Sequence, residues 1–433
     1  MRLPTAITST RLRQLCYMPL LTFAMALMLL RMLLMARLLD VPGFAAFSAG
    51  VLVSTTFGML ACLGLQPMLL RDLSIQIVKR RERPGLVLLA QCVLVAIGCA
   101  LVGLAAAMAG LAAAGLPSSL FAIAVLHGFA QQVFLVATIE SRSRGMPVRF
   151  AWQNLVRSLA VLGLGGLAAT TTGAAFWILT AEALVTLALA QWTLQRIFRS
   201  AHLPALLAYR LAVRRLPRLN WRSAGALLSV TIVSFVLINA DRWVAAELLS
   251  VAQFAQYGFA WVVLMVAQSA QAVINAVVFP MLARRFGAHG RRAAFSLSAR
   301  ASFAALASGA IAAVPLGLGL DAVVAHWFAE YRVAMQLLPL LLAVAVLRVA
   351  DFWTSYLMVI GLEARLLRLT LLSGVLSVIA WLAYVRPWRG AAIEMIDVAV
   401  LALALAATSF AAAALASWRA ATQRDALTPT PTT

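Results

Sequence analysis

The chain has few charged residues, and acidic residues are especially scarce. Only 11% of its 433 residues are charged and only 14 are Asp or Glu, whereas a soluble domain contains about 25% charged residues. Motifs of nucleotide hydrolysis are also missing, since no GxxxxGK[ST] loop occurs and no nucleophile, base and orienting group form a set. These absences exclude a soluble fold and argue against an ATP-driven machine or an enzyme.

Metal-binding and redox patterns are missing as well. The four cysteines lie in apolar stretches without metal or redox spacing, and the four histidines lie far apart in the sequence. We therefore expect no disulfide, no metal site and no cofactor.

Apolar residues dominate instead, at 64% of the chain. They form long unbroken runs separated by charged or turn residues, whereas the strands of a membrane β-barrel would alternate over short segments. A scan for such runs predicts an all-α, polytopic membrane protein with twelve transmembrane helices.

The basic residues follow the loops in a way that predicts orientation. With a cytoplasmic N-terminus, most of the 35 Lys and Arg residues fall in cytoplasmic segments, which favours a bacterial inner-membrane protein with both termini in the cytoplasm. Because these residues are dispersed over several short loops, we expect no nucleic-acid partner. Seven acidic residues fall on the opposite side: Asp40, Asp241, Glu247, Asp321, Glu330, Glu394 and Asp397.

Two segments of the chain are similar to each other. ARLLDVPGFAAFSAG, from Ala36, aligns without gaps with AELLSVAQFAQYGFA, from Ala246, and Pro67-Met68-Leu69 is matched by Pro280-Met281-Leu282 in the same order. Duplication predicts two six-helix halves related by a parallel repeat, with a cavity between them. The predicted parts are a first half at 1–198, a cytoplasmic linker at 199–222, a second half at 223–418 and a disordered tail at 419–433.

These motifs, the length and the twelve spans resemble the oligosaccharide flippases, of the Wzx type, in the multidrug/oligosaccharidyl-lipid/polysaccharide exporter (MOP) superfamily. The resemblance covers nearly the whole chain, although its motifs are loose and hydrophobic. It implies alternating-access movement of a lipid-diphosphate-linked oligosaccharide from the cytoplasmic to the periplasmic leaflet, for O-antigen or exopolysaccharide synthesis. The implied partners are that glycolipid, membrane lipids, a polysaccharide polymerase and other assembly proteins.

Two alternatives stay open. Multidrug exporters of the same superfamily often carry an acidic cation site in an early or seventh span, whereas the first span here carries Arg31. A membrane-embedded enzyme of the polysaccharide pathway usually has a large extramembrane loop, and the longest loop predicted here is short.

Charges inside the spans supply the candidate site residues. An arginine in mid-span costs about 2.5–3.5 kcal/mol on insertion scales, so each needs a partner or a watery cavity. Guanidinium binds phosphate oxygens, and we predict substrate binding by Arg31, Arg157 and Arg348 with Asp351. Asp351 could alternatively neutralise Arg348 one turn away, and Arg157 could reach the cytoplasmic surface.

Three further residues are candidates for gating or ion coupling. Glu182, together with the adjacent pair Asp241 and Arg242, could join the two halves and close the periplasmic side. Glu182 could instead accept a coupling proton. Glutamines and asparagines in the spans, among them Gln131 and Gln132, either bind sugar hydroxyls or join helices.

Overall fold

The computed structural model describes residues 5–79, 82–111, 113–389 and 393–422. Within these ranges every regular element is helical. Two are the 3-10 helices Leu216–Arg218 and Ala329–Leu337. The α-helices are α1 Thr5–Leu38, α2 Val41–Leu60, α3 Leu65–Val78, α4 Glu82–Met108, α5 Ser118–Ser143, α6 Pro147–Thr172, α7 Ala175–Ser200, α8 Ala205–Arg215, α9 Trp221–Leu248, α10 Val251–Ala260, α11 Val262–Trp327, α12 Leu338–Val349, α13 Trp353–Val359, α14 Glu363–Arg389 and α15 Met395–Thr422.

Twelve segments of the described chain are long and apolar enough to cross a membrane, which confirms the all-α, twelve-span prediction. Helices suit this composition because each satisfies its own backbone hydrogen bonds where no water is present. The helix α11 contains 66 residues, too long for a single crossing, and it is interrupted at Gly290, where φ is 76° and ψ is −172°. The loop expected between the eighth and ninth spans is therefore mostly helical.

The second predicted span is broken into α2 and α3. Leu63 and Gly64 both have positive φ, at 46° and 80°, and turn the chain between the two helices. A Cβ atom on Gly64 would collide with the carbonyl oxygen of Ala224 in α9. Glycine is required here for two reasons, the left-handed backbone and the close approach of α9.

The chain forms two compact units, one of residues 1–236 and 242–259 and the other of residues 237–241 and 260–433. These boundaries do not coincide with the predicted halves at 1–198 and 223–418, because residues of α9 belong to both units. The division into duplicated halves stays a prediction.

Each unit is a bundle with its own core. In the first unit, α1 packs on α6, α6 on α7, α7 on α5, and α5 on both α2 and α4. In the second unit, α11 packs on α12 and α13, and α15 packs on α12 and α14. Six helices of the first unit are thereby packed in one bundle, and the candidate charges of α1, α6 and α7 are on three of them.

The two similar segments start a helix in the same way. Asp40 precedes α2, and its Oδ1 accepts a hydrogen bond from the backbone N–H of Gly43 at 2.9 Å. Ser250, the aligned residue, precedes α10, and its Oγ accepts from the backbone N–H of Gln253 at 3.3 Å. Side-chain oxygens at this position satisfy free N–H groups of the first turn. The sequence similarity therefore extends to local structure.

The predicted linker and the start of the predicted tail are both helical. Residues 205–215 of the linker form α8, which packs on α4 through the buried residues Ala208 and Ala212, whereas Leu206 and Leu207 are exposed. The predicted disordered tail begins too early, because α15 continues to Thr422. Two small residues in this last turn are buried and extend the helix. They are Ala420 and Ala421. The rest of the predicted tail lies outside the described residues.

Candidate functional site

Two of the predicted residues form a buried ion pair in the first unit. Arg31 of α1 donates from Nε to Oε1 of Glu182 in α7 at 2.5 Å, and its Nη2 also contacts Oε2 of the same carboxylate. Arg31 is 2% exposed and Glu182 is 0% exposed. The pair is bidentate, a geometry that fits guanidinium to carboxylate and is among the stronger charged hydrogen bonds.

Neighbouring helices shape the space around this pair. A Cβ atom on Gly165 of α6 would lie 2.7 Å from Oε1 of Glu182, so the glycine leaves room for the carboxylate. On the other side, the Cζ atom of Arg31 lies 4.9 Å from the ring centre of Phe47 in α2. An aromatic face attracts a cation where water is absent, and this contact further stabilises Arg31.

A histidine that the sequence analysis did not select completes the cluster. Nε2 of His127 in α5 lies 3.3 Å from Oε2 of Glu182. Its Nδ1 lies 2.7 Å from Oγ of Ser54 in α2. An ionisable residue inside an apolar span was the available signal, since such residues are rare in membrane helices and usually interact with one another.

Arg157 of α6 brings a second positive charge close to the same carboxylate. Its charge interacts electrostatically with Arg31 and Glu182. Its Cζ atom lies 5.2 Å from the ring centre of Phe134, and its buried Nε atom has no hydrogen-bond partner in the described part of the chain. The side chain is thus directed into the bundle, and not to the cytoplasmic surface. Two arginines and one glutamate give this cluster a net positive charge.

The structure pairs two of the candidate residues with each other within one unit. Arg31 was expected to need either a partner or a watery cavity, and its buried guanidinium has a partner, Glu182, which joins α1 to α7. Glu182, a candidate for joining the halves or for accepting a proton, binds Arg31 and His127, which belong to the same unit. The physical reason is the same in both cases, because two opposite charges in an apolar bundle gain most by pairing with each other.

The first unit also contains a cavity of about 350 Å³. Polar lining groups come from Thr55, Gln66, Gln131, Gln132 and Thr231, and every lining side chain is uncharged. Gln132 donates from Nε2 to Oε1 of Gln66 at 2.9 Å. Nε2 of Gln131 lies 3.3 Å from Nε2 of His127, so this amide connects the cavity to the charged cluster.

Arg348 and Asp351 lie at a helix break in the second unit. The predicted tenth span is divided there into α12, which ends at Val349, and α13, which begins at Trp353. Arg348 donates from Nη2 to the carbonyl oxygen of Ile238 at 3.1 Å. Asp351, one residue before the N-cap of α13, accepts from the backbone N–H of Thr354 at 3.2 Å and from its Oγ1 at 2.7 Å.

Both residues line a cavity of about 120 Å³ together with Gln268, Gln271 and Ser409. Of the predicted arginines, Arg348 is the one that the structure places at a described cavity. A guanidinium beside amides and a hydroxyl can bind an anionic or hydroxylated group.

The remaining predicted pair, Asp241 and Arg242, lies in α9. Asp241 is 0% exposed and Arg242 is 5% exposed, so neither is an ordinary charge at the membrane surface. Oδ2 of Asp241 accepts a hydrogen bond from Nε1 of Trp261 at 3.0 Å. This contact joins α9 to the start of α11.

The fold is similar to that of several solved transporters. An inward-facing multidrug resistance MATE family transporter of the MOP superfamily matches with a TM-score of 0.64 at 14% identity, over 93% of this chain and 94% of that chain. An outward-facing multidrug resistance MATE family transporter of the same superfamily matches with a TM-score of 0.61 at 13% identity, over 94% and 95%. A MATE structure in complex with MaL6 matches with a TM-score of 0.58 at 13% identity, over 93% and 94%.

No protein-family model and no curated protein matches the chain significantly. The structural matches therefore show that the chain has the MATE fold, which fits the superfamily suggested by the sequence. At these identities they show the fold alone, and the Wzx-type resemblance stays a prediction.

Proposed function

We propose that the chain is a transporter that moves a lipid-diphosphate-linked oligosaccharide from the cytoplasmic to the periplasmic leaflet of the bacterial inner membrane by alternating access. The fold supports a transporter, since solved proteins with this fold are described as inward-facing and outward-facing transporters. In this proposal the protein is not an enzyme and both termini are cytoplasmic. Its partners are the glycolipid, membrane lipids, a polysaccharide polymerase and other assembly proteins of O-antigen or exopolysaccharide synthesis.

The observation that carries the substrate class is the uncharged cavity of the first unit, whose lining combines amides and hydroxyls with apolar side chains. Three glutamine amides and two threonine hydroxyls line it. Each amide has two donor hydrogens and an acceptor oxygen, so a cluster of amides suits a cargo rich in hydroxyl groups. An organic cation would instead gain most from a carboxylate, and the described lining has none.

Positive charge supports the diphosphate part of the substrate. Arg348, at its cavity in the second unit, keeps its charge at any physiological pH and offers forked donors to phosphate oxygens. Arg157 and Arg31 outnumber Glu182 in the first unit, so the interior favours an anion over a cation. In this proposal Arg348 contacts the diphosphate, while Arg31 and Glu182 maintain the packing of α1 on the bundle.

A second candidate is a cation-coupled multidrug exporter, and the similar solved structures favour it because they are multidrug resistance transporters. Coupling would require a carboxylate able to exchange a proton or Na⁺ during the cycle. Two carboxylates inside the spans already have other partners in the structure. Glu182 binds Arg31, and Asp351 binds Thr354. Coupling through Glu182 would require it to release Arg31 in every cycle. This candidate therefore carries the energetic cost of breaking a buried ion pair.

Transport in liposomes tests the two candidates directly. The protein is reconstituted and offered either a lipid diphosphate that carries a short fluorescent oligosaccharide or a cationic dye with an imposed proton or Na⁺ gradient. We expect flipping of the glycolipid and no gradient-dependent movement of the dye. The opposite pattern would refute the proposal and establish the exporter.

Variants link the activity to the cavity. Gln131→Leu with Gln132→Leu should slow glycolipid flipping about tenfold or more, because each lost hydrogen bond to the substrate costs about 0.5–1.5 kcal/mol. Gln195→Leu is the matched control, since Gln195 is an exposed glutamine of α7. Equal rates for the cavity variant and the control would remove the cavity from the mechanism.

A further inference from the structure

The geometry points to a second ligand site, separate from the transport cavities, in which an anionic phospholipid binds a surface groove between α6 and α7. The α6–α7 groove encloses about 140 Å³. The lining residues used below are Arg149, Trp152 and Val156 from α6, and Leu189, Trp192 and Arg196 from α7.

The order of these residues along the helices matches the order of groups in a phospholipid. With a rise of about 1.5 Å per residue, the two arginines lie about 3–6 Å inside the helix ends at Pro147 and Ser200. The two tryptophans lie about 8–12 Å inside those ends, and Val156 and Leu189 about 14–17 Å inside. From the helix ends inward, a charged level is followed by an aromatic level and then by an aliphatic level. A phospholipid has its phosphate, its glycerol esters and its acyl chains in the same order.

The aromatic level is open to the membrane. Trp152 is 51% exposed and Trp192 is 56% exposed, although both are large apolar side chains. Phe134 of α5, which is buried, also lines the groove. Amphipathic indole rings favour the depth of the lipid glycerol and headgroup, so their position fixes the level of the interface.

The charged level has an excess of positive charge. Arg149 lies 3.3 Å from Oε2 of Glu140, but Arg144 shares that carboxylate through its Nε at 2.5 Å. Arg196 has no ion pair in the described part of the chain and lies 5.8 Å from the Trp192 ring centre. A cation that faces an interface without a carboxylate partner attracts a phosphate group.

A buried polar atom in the groove points to a ligand independently. Oε1 of Gln153, a lining residue, is buried and has no hydrogen-bond partner in the described residues. Buried amide oxygens are normally satisfied, so the groove lacks a donor that a bound molecule would supply. Phosphatidylglycerol carries a phosphate that can bind the arginines and headgroup hydroxyls that can donate to Gln153.

Lipid binding to the purified full-length chain tests this site. Delipidated protein in detergent is titrated with dioleoyl phosphatidylglycerol or dioleoyl phosphatidylcholine, and bound lipid is counted by native mass spectrometry. We expect one saturable phosphatidylglycerol site and weaker, non-saturating phosphatidylcholine binding. Equal affinity for the two lipids would overturn the proposal, as would displacement by inorganic phosphate, which would make the ligand a free anion.

Variants locate the site. Arg196→Gln should weaken phosphatidylglycerol binding about tenfold or more, because a charge-assisted hydrogen bond is lost, and should leave phosphatidylcholine binding unchanged. Arg83→Gln is the matched control, an exposed arginine in the first turns of α4. Equal effects of the two variants would refute the location. A stable dimer of the chain that phosphatidylglycerol cannot displace from the groove would assign it to a second copy instead.

Discussion

Replacing Glu182 with glutamine should destabilise the protein more than any change to an exposed ion pair. The substitution keeps the size of the side chain but removes the negative charge that two hydrogen bonds connect to Arg31. Arg31 is 2% exposed, so its charge would stay in the bundle with neither carboxylate nor water. Removing one partner of a buried pair costs about 3–5 kcal/mol.

Arg157 increases this effect. Its guanidinium already interacts unfavourably with Arg31, and Glu182 opposes that repulsion. Without the carboxylate, two cations would remain in one apolar region. We therefore expect the upper part of the range, about 4–5 kcal/mol in free energy of unfolding.

A double-mutant cycle separates pairing from simple loss of packing. Arg31→Gln, Glu182→Gln and the double variant are unfolded in mixed detergent and sodium dodecyl sulfate micelles and followed by circular dichroism. Because the double variant leaves no unpaired charge of this pair, it should be more stable than Glu182→Gln alone, with a coupling energy of about 1–3 kcal/mol.

The chain offers a matched control. Asp72→Asn breaks the pair of Arg71 and Asp72, whose side chains are 58% and 33% exposed, and should cost only about 0–1 kcal/mol. If Glu182→Gln costs no more than Asp72→Asn, or if the two single effects simply add, then the buried pair does not hold α1 to the bundle.

Two other predictions concern the loops. Arg144, just after α5, binds Glu82 at 2.7 Å and Glu140 at 2.5 Å, and these carboxylates, Glu82 first, raise the pKa of Arg144. A raised pKa of a base adds stability that is lost only in strongly alkaline solution. Arg144→Gln should therefore lower the unfolding free energy by about 1–2 kcal/mol, equally at weakly acidic and weakly alkaline pH, with Arg83→Gln as the control. A loss of stability at only one of these pH values would contradict this. Reporter fusions after Arg83, Arg144, Arg215 and Gly290 should report cytoplasm, and fusions after Gly115 and Arg389 periplasm. Two or more reversals would refute the proposed orientation.

The sequence predicted the spans well because hydropathy is a local property. Every span needs a run of apolar residues, and such a run can be read without knowledge of its neighbours. The breaks within spans were missed, although local signals existed. Asp351 stands three residues before Thr354, a spacing typical of a helix start, and Leu63-Gly64 carries the glycine of a tight turn.

The pairing of site residues could not be read in this way. The sequence indicated that Arg31 needed a partner on another helix, but Glu182 is 151 residues away and nothing local relates the two. His127 was overlooked because an isolated histidine has no spacing motif. Its significance depends on α5 packing against α2 and α7, which only the tertiary structure supplies.

The two groups of charges inside the spans have different mechanical consequences. In the first unit, Arg31 and Glu182 connect continuous helices, and moving them apart would expose both charges to an apolar interior. In the second unit, Arg348 and Asp351 flank the break between α12 and α13, where the backbone is already interrupted and a cavity lies beside them. A charge at a helix break can change partners with little loss of regular hydrogen bonding, whereas a charge between intact helices cannot. For the transport cycle proposed above, we therefore place substrate contact at Arg348, and we expect Arg31 to hold α1 in the bundle of the first unit.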